Sequence, residues 1–232
     1  MLSLMYADWV IIRKTFLRYL LVTLIVTSPI VAMSNSESEL SAGVAVAAMV
    51  VMMITIYLAQ GLFAVDEAGD WDQFRLTLPT TAREVVRGRY AFAALVIVGT
   101  MVMGTVLGVL AQWFVGVLHG AVAVPRGLAT IGLVALGAGL VAFVLLALEM
   151  PIVFNLGINK ARLAFVAPFF LCLLFTVEPV RNAVIPVLNS LESFAKSLGS
   201  PAPLFAVAAV VAAVLYLVSM RISEHLYANR DF

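Results

Sequence analysis

Cysteine is almost absent from this chain. The one present, Cys172, has no second cysteine for an internal disulfide, and its place in an apolar run leaves the redox compartment unread. Charge is scarce as well. Only 12% of the 232 residues are Asp, Glu, Lys or Arg, about half the share usual in soluble domains. The net charge of +1 offers no basic excess for nucleic acid. The three lysines are Lys14, Lys160 and Lys196, and none completes the G-x-x-x-x-G-K-[ST] pattern of a phosphate-binding loop. The chain therefore carries no readable ATP site of its own. Neither histidine, His119 or His225, has a Cys, His or acidic neighbour at metal-ligand spacing. No Ser-His-Asp arrangement is supported, and the apolar stretches hold too few ionisable residues for a proton relay.

What is present is apolar: 63% of residues are hydrophobic and the mean hydropathy is +1.09. That composition makes lipid the solvent and predicts an all-α integral membrane protein. A helix needs roughly 20 mostly apolar residues to cross the hydrocarbon core. Six stretches qualify, at about 16–33, 42–63, 90–118, 127–149, 162–178 and 202–220. Barrel strands would be about ten residues long with alternating polarity, which these are not. Turn-forming clusters separate them: Ser34 to Ser41, the polar run from Asp66 to Tyr90, Pro125-Arg126-Gly127, Pro151 to Asn159, and Ser197 to Pro203.

Placing the N-terminus in the cytoplasm puts eleven of the fourteen Lys and Arg residues inside. The three left outside are Arg126, Arg181 and Lys196. This asymmetry predicts six spans with both termini cytoplasmic. A cleaved signal peptide is the competing account of the first stretch. The long amphipathic segment before it, and the lack of a clean A-x-A site before Ser34-Asn35-Ser36, argue against that.

Residues 1–15 have their own pattern. Leu2, Met5, Trp9, Ile12 and Phe16 recur at helical spacing, with Ser3, Asp8, Arg13 and Lys14 mostly between them. They read as an interfacial amphipathic helix with its basic pair toward anionic lipid, or as an extension of the first span. Residues 16–232 form the six-helix transmembrane domain. Glu149 ends the fourth stretch just before Met150-Pro151. It reads either as a possible gate contact or as an interfacial carboxylate in reach of water. Gly104 and Gly108 make a small-xxx-small pair that suits a moving or dimeric interface, or close packing within one bundle. No inverted repeat relates the halves.

The polar run from 66 to 90 is the break in this pattern. As a helix it displays Asp66, Glu67, Asp70, Trp71, Phe74 and Arg75, and Leu78-Pro79 halts it because the residue before proline leaves helical geometry. Thr80 or Thr81 can cap the next helix, with Glu84 three residues after Thr81 as the capping-box partner. Arg83, Arg87 and Arg89 then anchor the start of the third span at the headgroups. Such a segment is either a docking surface or a solvated loop.

The run from Glu67 to Tyr90, with Trp71, Leu78-Pro79-Thr80-Thr81, Arg83-Glu84-Val85-Val86 and Arg89-Tyr90, resembles the first cytoplasmic loop of ABC-2-type transporter permeases. It is most similar to the small six-span members. Pro151 to Arg162, P-I-V-F-N-L-G-I-N-K-A-R, resembles that family's loop between spans four and five. The ending S-x-x-I-S-x-x-L-Y-x-x-R-D-F, from Ser219, is similar too. Arg89 stands where relatives carry lysine before the tyrosine, and Asn159 where an acidic residue is common.

The resemblance implies a permease subunit of an ABC exporter in the bacterial cytoplasmic membrane, not itself an enzyme. It implies a second permease subunit and separate ABC ATPase subunits, which hold the ATP and Mg²⁺, so that this chain binds no cofactor or metal. Residues 66–81 would be the coupling segment, with Asp66, Glu67, Asp70, Trp71, Phe74, Arg75, Leu78 and Pro79 touching the ATPase. Arg83, Glu84, Arg89, Lys160 and Arg162 would support it from the cytoplasmic side. Residues 178–200 would be an external helical segment, the alternative being a plain loop. Sparse charge in the spans favours an amphipathic or hydrophobic cargo. The alternative function is a membrane scaffold or immunity protein that moves nothing.

Overall fold

The computed structural model describes residues 2–33, 39–68, 81–118, 127–157 and 201–228, with isolated positions 182, 186, 190 and 193. Five helices account for nearly all of them: α1 (Leu2–Met33), α2 (Glu39–Ala68), α3 (Ala82–Leu118), α4 (Leu128–Leu156) and α5 (Ala202–Ala228). There is no strand among the described residues. Arg83–Leu118, Leu128–Leu156 and Ala202–Ala228 are long and apolar enough to cross a bilayer, and shorter apolar segments run over Thr15–Pro29 and Ala42–Leu58. The fifth apolar stretch, 162–178, lies outside the described residues, as does most of 178–200. Within the latter, Asn182, Pro186, Ser190 and Ser193 are helical and exposed at roughly one-turn spacing.

The bundle is apolar outside and carries its polar groups inside, the arrangement a lipid solvent selects. On α3, Leu95, Val98, Val102, Val106 and Leu110 are exposed, whereas Tyr90, Ile97 and Thr100 on the opposite stripe are buried. Thr100 Oγ1 donates to the Ile97 carbonyl at 2.8 Å. Its single proton is then used, so the buried Thr55 hydroxyl of α2 donates to it across 3.0 Å.

Helices α2 and α3 meet backbone to backbone. A Cβ placed on Gly108 would sit 2.6 Å from the Gly43 carbonyl oxygen, and one on Gly43 would sit 2.8 Å from that of Gly108. Gly104 faces Ala47 and Val51 in the same way. The small-xxx-small pair therefore lets two backbones meet within one chain.

Two helices pass through proline. In α1, Pro29 has no N–H for the carbonyl of Ile25, and the Ser28 hydroxyl donates to that oxygen instead, at 2.8 Å. In α4, the helix continues past Pro151 to Leu156, where the sequence pattern predicts a turn from Pro151 onward. It ends at Gly157, whose φ of 74° suits glycine and whose N–H reaches the Val153 carbonyl at 2.9 Å. α1 also runs without interruption from residues 2–15 into the first apolar stretch.

Candidate functional site

At one end of the bundle the start of α3 meets the ends of α4 and α5. Local sequence sets each piece. α3 begins with a reciprocal capping box: the Thr81 N–H donates to Glu84 Oε2 at 2.9 Å, and the Glu84 N–H to Thr81 Oγ1 at 3.3 Å. Two turns on, Tyr90 is 1% exposed in the largest core cluster. Its ring stacks on Phe154 of α4 at 6.3 Å and meets Tyr216 of α5 edge-on at 5.0 Å.

The hydroxyls of this junction form one directed chain. Ser219 of α5 donates to the Ala147 carbonyl of α4. That carbonyl is four residues before Pro151, so it is the acceptor the proline leaves without a helical donor. Since the Ser219 proton is committed there, the Tyr90 hydroxyl donates to Ser219 Oγ at 2.8 Å. The proton of Tyr90 is then used, and Ser223 donates to the tyrosine oxygen at 2.7 Å. A further bond from the Tyr216 hydroxyl to the Tyr90 carbonyl, 2.7 Å, ties α5 to the α3 backbone. All of these groups are buried.

Charges flank the chain. Arg87 Nε lies 2.6 Å from Glu224 Oε1, joining α3 to α5, and Arg221 adds a longer contact to Glu224 at 3.4 Å. Arg89 is 3% exposed and forms an ion pair at 3.7 Å with Asp8, itself buried on α1. It is turned into the bundle, so it does not anchor α3 at the headgroups as its sequence position suggests. Arg83 is exposed. Glu149 is 4% exposed, and neither carboxylate oxygen has a hydrogen-bond partner among the described residues. It sits inside the bundle instead of reaching water.

Of the other expected site residues, Asp66 and Glu67 occupy the last turn of α2, whose helix ends at Ala68. Asp70, Trp71, Phe74, Arg75, Leu78, Pro79, Lys160 and Arg162 lie outside the described residues. Sequence reasoning missed Tyr90, Ser219, Ser223 and Glu224 as a unit. Three of these stand inside the quoted motifs, but serines and a tyrosine in a membrane helix gave no charge signal to single them out.

The junction thus gathers one segment from each motif: Arg87 to Tyr90, Ala147 to Phe154, and Ser219 to Tyr227. An ABC-2 family transporter model matches the sequence from residue 3 to residue 228. The chain belongs to the ABC-2 transporter family. It is a multi-pass membrane protein and a permease of an ABC transporter, and membership implies an ABC ATPase subunit as its partner. No curated protein and no solved structure matches the chain.

As chemistry, the ABC-2 junction is a clamp. It fixes three helix ends to one another through buried hydroxyls and one short ion pair.

Proposed function

We propose that this ABC-2 permease exports an amphipathic or hydrophobic cargo, such as a membrane-active peptide or a lipophilic compound. It works in the bacterial cytoplasmic membrane beside a second permease subunit. ATP and its Mg²⁺ are held by the separate ATPase, and this chain contributes no catalytic group. The coupling segment is 66–81, with Trp71, Phe74 and Arg75 against the ATPase and Leu78-Pro79 as a rigid corner. Residues 1–15 serve as an interfacial helix, and Glu149 as a gate carboxylate.

The observation that carries this reading is the junction. The coupling segment leads directly into α3, and α3 is tied at Tyr90 and Arg87 to α4 and α5. Work delivered at 66–81 would therefore move three helices together. The sparse charge of the apolar stretches supports this cargo class, since a polar solute would find few partners along them.

The test is reconstitution with the ATPase in lipid, comparing stimulation of ATP hydrolysis by hydrophobic peptides, lipophilic compounds, sugars and amino acids. Stimulation by the first two supports the reading. Stimulation by sugars or amino acids alone rejects it.

A further inference from the structure

The seam between α1 and α3 opens on the side toward the start of both helices into a groove of about 700 Å³. Ile12, Leu58 and Phe92 are buried in its floor, and Tyr6, Trp9 and Leu95 are half or more exposed at its rim. On α3 the lining runs from Phe92 to Met103. The eleven rises of about 1.5 Å between them give a length of about 16 Å, close to one leaflet, which is half of a hydrocarbon core of about 30 Å. At the mouth, Tyr6 and Trp9 stand where interfacial aromatics gather. Arg13, one turn past Trp9 on the same side of α1, is exposed and has no ion partner among the described residues. Two acidic side chains near the starts of α1 and α3 are otherwise engaged, Asp8 with Arg89 and Glu84 with its own cap.

We infer that this groove holds one acyl chain of an anionic phospholipid from the leaflet on that side, with its phosphate at Arg13. The floor is apolar as a tail requires, its length ends where one leaflet ends, and the exposed cation beside it sets the sign of the headgroup. A second groove farther along the same seam, about 510 Å³ and lined by Leu24, Thr27, Leu110 and Trp113, likewise has no cation in its lining, and its α1 side begins about three helical turns past Arg13. It takes tails without regard to headgroup, which makes it an internal control.

The two grooves each contain one tryptophan, Trp9 and Trp113. Full-length chain carrying Trp71→Phe and Trp113→Phe reports on the first groove. The same chain carrying Trp71→Phe and Trp9→Phe reports on the second. Each is placed in nanodiscs of phosphatidylcholine containing rising fractions of phosphatidylglycerol, with bromine on the acyl chains of one lipid or the other. Trp9 should be quenched by brominated phosphatidylglycerol at a several-fold lower mole fraction than by brominated phosphatidylcholine, and Trp113 equally by both. Arg13→Gln should remove about fivefold of the Trp9 preference. Gly99 lines the first groove, and a Cβ there meets no atom within 4 Å. Gly99→Phe should therefore fill the groove without disturbing the fold and abolish the preference.

Equal quenching of Trp9 by both lipids, or a preference that survives Gly99→Phe, would overturn the assignment. So would cross-linking of Leu95→Cys chains to each other with Trp9 unquenched by either lipid, since a second copy would then fill the seam.

Discussion

Ser219 of α5 supplies the hydrogen bond that Pro151 removes from α4. Its hydroxyl donates to the Ala147 carbonyl, the oxygen that the residue at 151 would otherwise serve within the helix. In a membrane no water stands by to satisfy such a group, so the donor must come from a neighbouring helix. The pairing makes a helix interruption into an interhelical tie.

Ser219→Ala should lower stability by about 1–3 kcal/mol, because it leaves a buried acceptor unsatisfied. In a Pro151→Ala background the backbone N–H returns and takes that carbonyl, so Ser219→Ala should then cost less than half as much. The four variants form a double-mutant cycle, read by thermal unfolding in detergent. Equal losses in both backgrounds would show that Ser219 is not the proline's substitute donor.

Tyr90→Phe keeps the ring packing on Phe154 and Tyr216 and removes only the middle of the hydroxyl chain. A loss of about 1–2 kcal/mol is expected. Adding Ser223→Ala should then cost little more, because the acceptor of Ser223 has already gone. Full additivity in the unfolding midpoints would mean the two hydroxyls act separately.

Arg87→Glu should loosen α5 from α3 by setting two carboxylates against each other, and Glu224→Arg alone should do the same with two guanidinium groups. Exchanging both charges should restore the contact. The readout is ATPase stimulation by cargo in the reconstituted complex, together with the unfolding midpoint. Recovery of the midpoint without recovery of stimulation would mean that the ion pair holds the fold but does not carry motion.

Gly108→Ala and Gly99→Ala should have opposite signs. The first drives a Cβ to 2.6 Å from the Gly43 carbonyl, a backbone atom with nowhere to go, and should cost about 1–3 kcal/mol. The second meets open space and should stabilise by about 0.5–1 kcal/mol through helix propensity. Two losses of similar size would contradict the packing of α2 on α3.

Much of this architecture was legible before any coordinates. Apolar length alone gives helices in lipid, Thr81 and Glu84 at three-residue spacing give the start of α3, and Gly104-Gly108 mark a close approach. What sequence could not give were choices made by distant partners. Proline reads as a helix end because its freed carbonyl is assumed to stay unpaired, but here a serine from α5 takes that carbonyl and the helix continues. Arg89 is one of the charges that the sequence places on the inner side, yet which way its side chain faces depends on Asp8, which belongs to another helix. The 66–81 segment is rich in sequence signals, but positions 69–80 lie outside the described residues.

Glu149 gives the sharpest contrast between stability and use. An unpaired carboxylate in the bundle interior is unfavourable, whether it stays charged or takes up a proton to avoid charge. Replacing it with a residue of similar volume that needs no partner should relieve that strain, so Glu149→Met should raise the unfolding midpoint by several degrees. If the carboxylate serves as a gate, the same variant should lose cargo-stimulated ATP hydrolysis while keeping the basal rate and the association with the ATPase. A gain in stability with transport intact would remove Glu149 from the pathway. A loss of stability would mean that a group outside the described residues pairs with it, and that this carboxylate holds the bundle together.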